Sequence, residues 1–219
     1  MELKNAVINI LGDSITEGIG ARCEEKRSAD VFARLSGAKV NNYGISGSRF
    51  ARQRVNTGER HERDFCMRME EMDETADAVV VFGSTNDFGH GDAPIGTFAD
   101  RTPDTFYGAC HYLMNGLIDR YCGKPIVFMT PLHRLAENNP AGDNTGRKLE
   151  VRALLNEYRA ILLEVAEYYA IPVLDLWSVS GMQPANETVR VRLMPDGLHP
   201  SDEGHAIIAK LLMGFMKSL

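Results

Sequence analysis

A serine set directly after an apolar run, close to glycines, can present its hydroxyl as a nucleophile at a sheet edge. Ser14 has this setting in Gly12-Asp13-Ser14-Ile15-Thr16-Glu17-Gly18, after the run Ala6–Leu11. Such a nucleophile needs a base, the base needs an orienting carboxylate, and the developing oxyanion needs preorganised donors. Asp196 and His199 lie three apart in the Gly/Pro-punctuated stretch Met194–Pro200. There a carboxylate can fix an imidazole tautomer and stabilise the imidazolium when it forms. Asn86, in Gly83-Ser84-Thr85-Asn86-Asp87 after another apolar run, can turn its side-chain N–H2 into a pocket as a donor. The stretch Asn42-Tyr43-Gly44-Ile45-Ser46-Gly47-Ser48 has the glycines that let a backbone N–H approach an anion. Taken singly, each stretch also reads as plain connection: Ser14 as a helix cap, Asn86 as an Asx turn, the others as loops. Together they hold every part of a Ser-His-Asp acyl-transfer centre, and triads are recognised by roles rather than by chain order.

These residues must be positioned by something, and the apolar pattern says what. Short apolar runs at Ala6–Leu11, Lys39–Tyr43, Asp77–Phe82, Pro125–Met129 and Ile171–Leu176 predict five strands. Pro125 and Pro172 fall at strand starts, where a missing N–H is tolerated. Helical patterns lie between and after them, at Ser28–Leu35, Phe65–Thr75, Asp104–Tyr121, Leu149–Tyr169 and Ser201–Leu219. Strict alternation of this kind predicts a parallel sheet covered by helices on both faces, a three-layer α/β/α sandwich. Sites in such sheets lie outside the carboxyl ends of the strands, which is where Ser14, 42–48 and Asn86 stand. No linker or repeat divides the chain, so one domain is expected.

Composition narrows the function classes. The chain has 219 residues, 44% hydrophobic and 25% charged, which is globular composition. A net charge of −6 argues against a nucleic-acid binder. No apolar run approaches the ~18–20 residues of a membrane span. The four cysteines, Cys23, Cys66, Cys110 and Cys122, show no metal-ligand spacing and are expected as free thiols in a cytoplasmic protein without a signal peptide.

The four stretches resemble, in order, the blocks of the SGNH hydrolase superfamily, the GDSL esterases and lipases, from residue 12 to residue 200. The resemblance implies the flavodoxin-like sandwich with a central five-stranded parallel sheet, and it implies roles. Ser14 is the nucleophile and its N–H one oxyanion donor. Gly47, which closes the Asn-x-x-x-x-Gly pattern, gives a second N–H, and Asn86 a third donor through its side chain. His199 is the base, Asp196 orients it, and Asp13 holds the nucleophile turn. No cofactor or metal is implied. One departure stands out: the family's third block reads Gly-x-Asn-Asp, whereas position 84 is Ser84. If glycine is needed there for its backbone conformation, Ser84 strains the loop.

The expected reaction is hydrolysis of a small carboxylic ester with a short acyl group, plausibly acetyl on a carbohydrate or small alcohol. Lysophospholipase or thioesterase action and a weakly catalytic binding module are the alternatives. Because a His base must be neutral to act, activity is expected to fall below about pH 6–7, where an ordinary imidazole protonates. The arginine-rich stretch Arg49–Asp64 reads either as a recognition surface for an anionic or sugar-bearing ester or as a solvated face. The insert Phe88–Pro103 is expected beside the pocket, with His90 as a possible ligand contact. His133 is a candidate pocket residue. Trp177 is expected to pack, and His61, His111 and His205 to be solvated or packed.

Overall fold

The computed structural model describes residues 1–143 and 153–219. Five strands, β1 (Val7–Gly12), β2 (Lys39–Gly44), β3 (Ala78–Phe82), β4 (Ile126–Met129) and β5 (Val173–Leu174), pair in parallel in the order β2-β1-β3-β4-β5. This is the α/β architecture that the alternation of patterns predicts. The two prolines stand immediately before their strands, each accepting through its carbonyl: Pro125 from Val79 and Pro172 from Phe128.

The inner strands β1, β3 and β4 have two buried faces, so their successive residues feed two different cores. Leu11, Val79, Val81 and Phe128 point into one, with Phe65, Phe106, Leu113, Tyr158 and Leu162. Ile8, Ile10, Val80, Phe82 and Val127 point into the other, with Phe32, Ile208, Leu212 and Met216. The first core is therefore covered by α3 (Phe65–Arg68), α5 (Phe106–Arg120) and α6 (Leu155–Tyr168), the second by α2 (Ser28–Ser36) and α9 (Asp202–Ser218). Each large apolar side chain so buried contributes roughly 1.5–3 kcal/mol, and a helix cut from either layer would leave its face of the sheet in water.

Local signals account for the helix ends. Thr105 caps α5 by accepting from Gly108 N–H at 3.1 Å, and Ser201 caps α9 by accepting from Gly204 N–H at 3.4 Å. At the start of α6 the Glu157 carboxylate accepts the Leu154 N–H at 2.6 Å. Several boundaries differ from the sequence expectation. The helix expected over Phe65–Thr75 stops at Arg68 and tightens into a 3-10 turn, Met69–Glu71. The strand expected over Ile171–Leu176 is two residues long, because Leu176 already begins α7 (Leu176–Val179). Residues 149–152 of the expected helix 149–169 lie outside the described residues. Three further helices were not foreseen: α1 (Ser14–Glu17), α4 (Thr85–His90) and α8 (Glu187–Leu193).

The strand order places the site. The chain leaves β1 for β2 on one side, and β3 returns to the other side of β1, so a crevice opens at the carboxyl ends of β1 and β3. Gly12 ends β1 opposite Phe82 of β3 and Gly44 of β2. A side chain at Gly44 would collide with the Glu17 backbone, its Cβ falling 2.2 Å from that nitrogen. Glycine there is what lets α1 sit on the end of β2.

Candidate active site

Ser14 is the first residue of α1, immediately beyond β1. The Asp13 side chain caps this short helix by accepting the Ile15 N–H at 3.0 Å. Gly18, with φ of 109°, ends it after one turn. Ser14 is almost fully buried, yet its Oγ lies 3.0 Å from His199 Nε2. Nδ1 of the same ring lies 2.7 Å from Asp196 Oδ2. The other Asp196 oxygen accepts the N–H groups of Leu198 at 2.9 Å and His199 at 2.7 Å. The carboxylate is thus fixed by the loop whose histidine it orients. Burial pushes the Asp196 carboxyl up, but the His199 ring and the two N–H donors outweigh that, and it sits below its ordinary value. It stays ionised at neutral pH and serves as an acceptor for Nδ1–H.

The two expected donors beyond Ser14 follow the neighbouring strands β2 and β3. Asn86 is in the first turn of α4, just beyond β3, and is buried. Its Nδ2 donates to Ser48 O at 3.1 Å. Gly47 precedes Ser48 and takes φ of 77°, with His61 and His90 nearby: a Cβ there would lie 3.2 Å from His61 Cβ and 4.0 Å from His90 Cε1. Position 84 has φ of 78°, a left-handed conformation that glycine takes freely and serine does not. The departure from the family block therefore strains the backbone, and the Ser84 hydroxyl is buried without a partner.

Three buried groups that hold these loops were not foreseen. Arg68 donates to Gly12 O at 2.9 Å, Tyr43 O at 2.7 Å and Ser48 Oγ at 2.9 Å, so one guanidinium ties the ends of β1 and β2 to the loop after β2. Burial lowers its pKa to about 10. Asp87 accepts the N–H groups of Phe50 and Ala51, both at 3.0 Å, and pins the far side of the same loop to α4. Arg134, buried beyond β4, donates to the Thr85 carbonyl and hydroxyl at 3.3 Å and pairs with Asp143. Burial pushes the Asp13 carboxyl up to about 7 and that of Asp87 up to about 6, in the latter against two N–H donors. The signal for such groups in sequence is slight: a single charge within a short stretch of uncharged residues.

The arginine-rich stretch is neither wholly a recognition surface nor a solvated face. Arg49 is 1% exposed and pairs with the buried Glu62 at 2.5 Å. Arg60, well exposed, reaches Glu17 of α1 at 2.7 Å. His90 is committed to protein partners on both ring nitrogens, Arg49 Nη1 at 2.8 Å and Asn86 Oδ1 at 3.2 Å. His133 packs against Trp177 with ring centroids 3.8 Å apart, and its Nδ1 meets Glu137 at 2.8 Å. Trp177 packs, as expected. His205 is buried, accepting from Ser28 N–H at Nδ1 and meeting Ile19 O at Nε2. His111 is buried among Phe98, Tyr168 and Tyr169.

Comparison with known proteins turns the resemblance into membership, because the sequence profile of the GDSL-like Lipase/Acylhydrolase family matches residues 10–207. The chain belongs to that family. GDSL-like hydrolases also stand among its structural neighbours. A protein from Lactobacillus plantarum, solved by crystallography, superposes with a TM-score of 0.83 at 29% identity, covering 100% of this chain and 98% of its own. A possible lipase from Chitinophaga pinensis gives 0.71 at 22% identity, covering 98% of each chain. A carbohydrate acetylesterase family member from Sinorhizobium meliloti gives 0.65 at 17% identity, covering 97% of this chain and 98% of its own. The last two show likeness of fold alone. Comparison with curated proteins gives no match. The GDSL-like chain has four free cysteines, Cys66 and Cys110 buried, Cys23 and Cys122 exposed. Among the described residues no helix is long and apolar enough to cross a membrane.

Proposed function

We propose that this GDSL-like hydrolase is a serine esterase acting on small carboxylic esters with short acyl groups, plausibly acetyl on a carbohydrate or small alcohol. The observation that carries the reading is the continuous run of contacts Ser14 Oγ–His199 Nε2 and His199 Nδ1–Asp196 Oδ2, at 3.0 and 2.7 Å. In this reading Ser14 Oγ attacks the ester carbonyl as its proton passes to His199 Nε2. Asp196 accepts from Nδ1–H and keeps the ring in the tautomer whose Nε2 is free to take that proton. The tetrahedral oxyanion is held by the N–H groups of Ser14 and Gly47 and by the Asn86 amide. The Ser14 N–H is available because the first amides of a helix have no carbonyl partner within it. The imidazolium then protonates the leaving alcohol. Water, with its proton taken by His199, attacks the acyl-enzyme and releases the acid.

The short-acyl preference is supported by the side chains beside Gly47, His61 and His90, which are polar rather than a lining for an alkyl chain. The test is hydrolysis of p-nitrophenyl esters from acetyl to palmitoyl by the protein and its Ser14→Ala variant. Acetyl turnover that disappears in the variant and declines with chain length is expected. Turnover that rises toward palmitoyl would replace the short-acyl reading with a lipase. Equal rates for both proteins would end the serine-esterase reading.

A further inference from the structure

Asn86 must present an N–H to a developing oxyanion, yet an asparagine side chain has two faces that differ only in O against NH2. Something has to choose between them. On one side the amide meets Ser48 O at 3.1 Å, which accepts and therefore demands NH2. On the other it meets His90 Nε2 at 3.2 Å. An imidazole nitrogen can be donor or acceptor, and which one it is depends on what the opposite nitrogen does. Here the opposite nitrogen, Nδ1, lies 2.8 Å from Arg49 Nη1. A guanidinium has only donors, so Nδ1 must accept, the ring proton sits on Nε2, and Nε2–H donates to Asn86 Oδ1. Arg49 is held in turn by Glu62, at 2.5 Å and buried with it. The chain Glu62–Arg49–His90–Asn86 thus has one consistent direction of donation. Reversing the amide would set NH2 against Nε2–H and the amide oxygen against Ser48 O.

We infer that His90 is a positioning residue of the oxyanion site: with its tautomer set by Arg49, it locks the Asn86 amide so that one N–H remains for the substrate oxyanion. The placement is built into the fold, since Asn86 and His90 stand four apart on the single turn-and-a-half of α4 and share its face. This inference rests on the reading of Asn86 as an oxyanion donor. His90 touches no reacting atom; its effect passes through Asn86. Its removal should therefore lower kcat, because the oxyanion exists only in the transition state and intermediate, and leave KM nearly unchanged.

The test is a double-variant cycle on an acetyl ester, with one spectroscopic measurement on the unaltered protein. Asn86→Ala should lower kcat on the order of 10²–10³-fold. His90→Phe should lower it about 10–100-fold with KM within roughly twofold. The Asn86→Ala/His90→Phe protein should lose no more than Asn86→Ala alone. His90→Gln, whose amide N–H can still donate to Asn86 Oδ1, should recover most of the His90→Phe loss. The ¹⁵N shifts of the His90 ring in the unaltered protein should show a neutral Nε2–H tautomer, which does not depend on any variant folding. An Nδ1–H tautomer, unchanged kcat in His90→Phe, a glutamine variant as impaired as the phenylalanine one, or additive losses would each overturn the inference while Asn86→Ala remains impaired. Wild-type kcat in Asn86→Ala would instead overturn the oxyanion reading, and the inference with it.

Discussion

Replacing Ser84 with glycine should stabilise the protein by about 1–3 kcal/mol. Two separate strains meet at this residue. Its φ of 78° places an L side chain in the left-handed region, at a cost of roughly 1–2 kcal/mol. Its hydroxyl is buried without a hydrogen bond, which costs a further ~1–3 kcal/mol. Against these stand about 0.5–1 kcal/mol for the greater freedom of an unfolded glycine and a term of similar size for the small void. For a chain of this length each kcal/mol raises the melting temperature by about 2–4 °C. The expected rise is therefore roughly 2–12 °C by calorimetry, with the gain in free energy read by urea titration. Ser84→Ala separates the two contributions, because it removes the hydroxyl and keeps the Cβ. It should recover only part of the gain. A glycine variant no more stable than the alanine variant would refute the backbone argument, and two variants no more stable than the parent would refute both.

Other outcomes follow from the buried charges and the triad. Asp13 and Asp87, pushed up by burial to about 7 and about 6, keep protons in the folded chain that the unfolded chain releases above about 4. Their contribution to stability is therefore present at low pH and lost as pH rises from about 4 to 7. Asp13→Asn keeps the acceptor for Ile15 N–H and should gain on the parent between pH 5 and 8; a difference constant with pH would show that Asp13 does not hold its proton. Arg68→Met leaves the carbonyls of Gly12 and Tyr43 without their shared donor, and urea unfolding should report a loss of about 2–5 kcal/mol. A loss within ~0.5 kcal/mol would mean that Arg68 is not what joins β1 to the loop after β2. The Asp196 side chain is 55% exposed, so its charge is screened and its work is mainly orientation. Asp196→Ala should cost at least about tenfold less kcat than His199→Ala; equal losses would show that its charge acts at full strength.

The inner strands β1, β3 and β4 were legible because they are short apolar runs, the pattern of a parallel strand buried on both faces, whereas the edge strand β2 is polar and half-buried and shows it least. The contacts among Ser14, Asp196 and His199 were legible because serine, histidine and carboxylate are distinct residue types, here beside glycine and proline. Arg68, Asp87 and Arg49 were not. Each is a charged residue buried by partners far off in sequence, Gly12 for Arg68 and Phe50 for Asp87, and a charge read alone looks like surface. The α8 helix escaped for the opposite reason. It buries no side chain, so it has no apolar stripe, and its only mark is the cap in which Asn186 accepts from Val189 N–H. The α1 and α4 helices are shorter than the window over which a 3.6-residue period can be recognised. At Ser84 local preference and observed backbone disagree, and that disagreement lies two residues from Asn86.

Ser14 and His199 meet across 185 residues of sequence, one on α1 and the other on the loop before α9. No short fragment of the chain holds both. On the roles proposed for Ser14 and His199, a ribosome-bound nascent chain should therefore be silent toward esters until the segment with His199 has emerged and docked on the sheet, and a protease cut that releases that segment should silence it again. Turnover, on that reading, would report that the two distant segments of the fold have met.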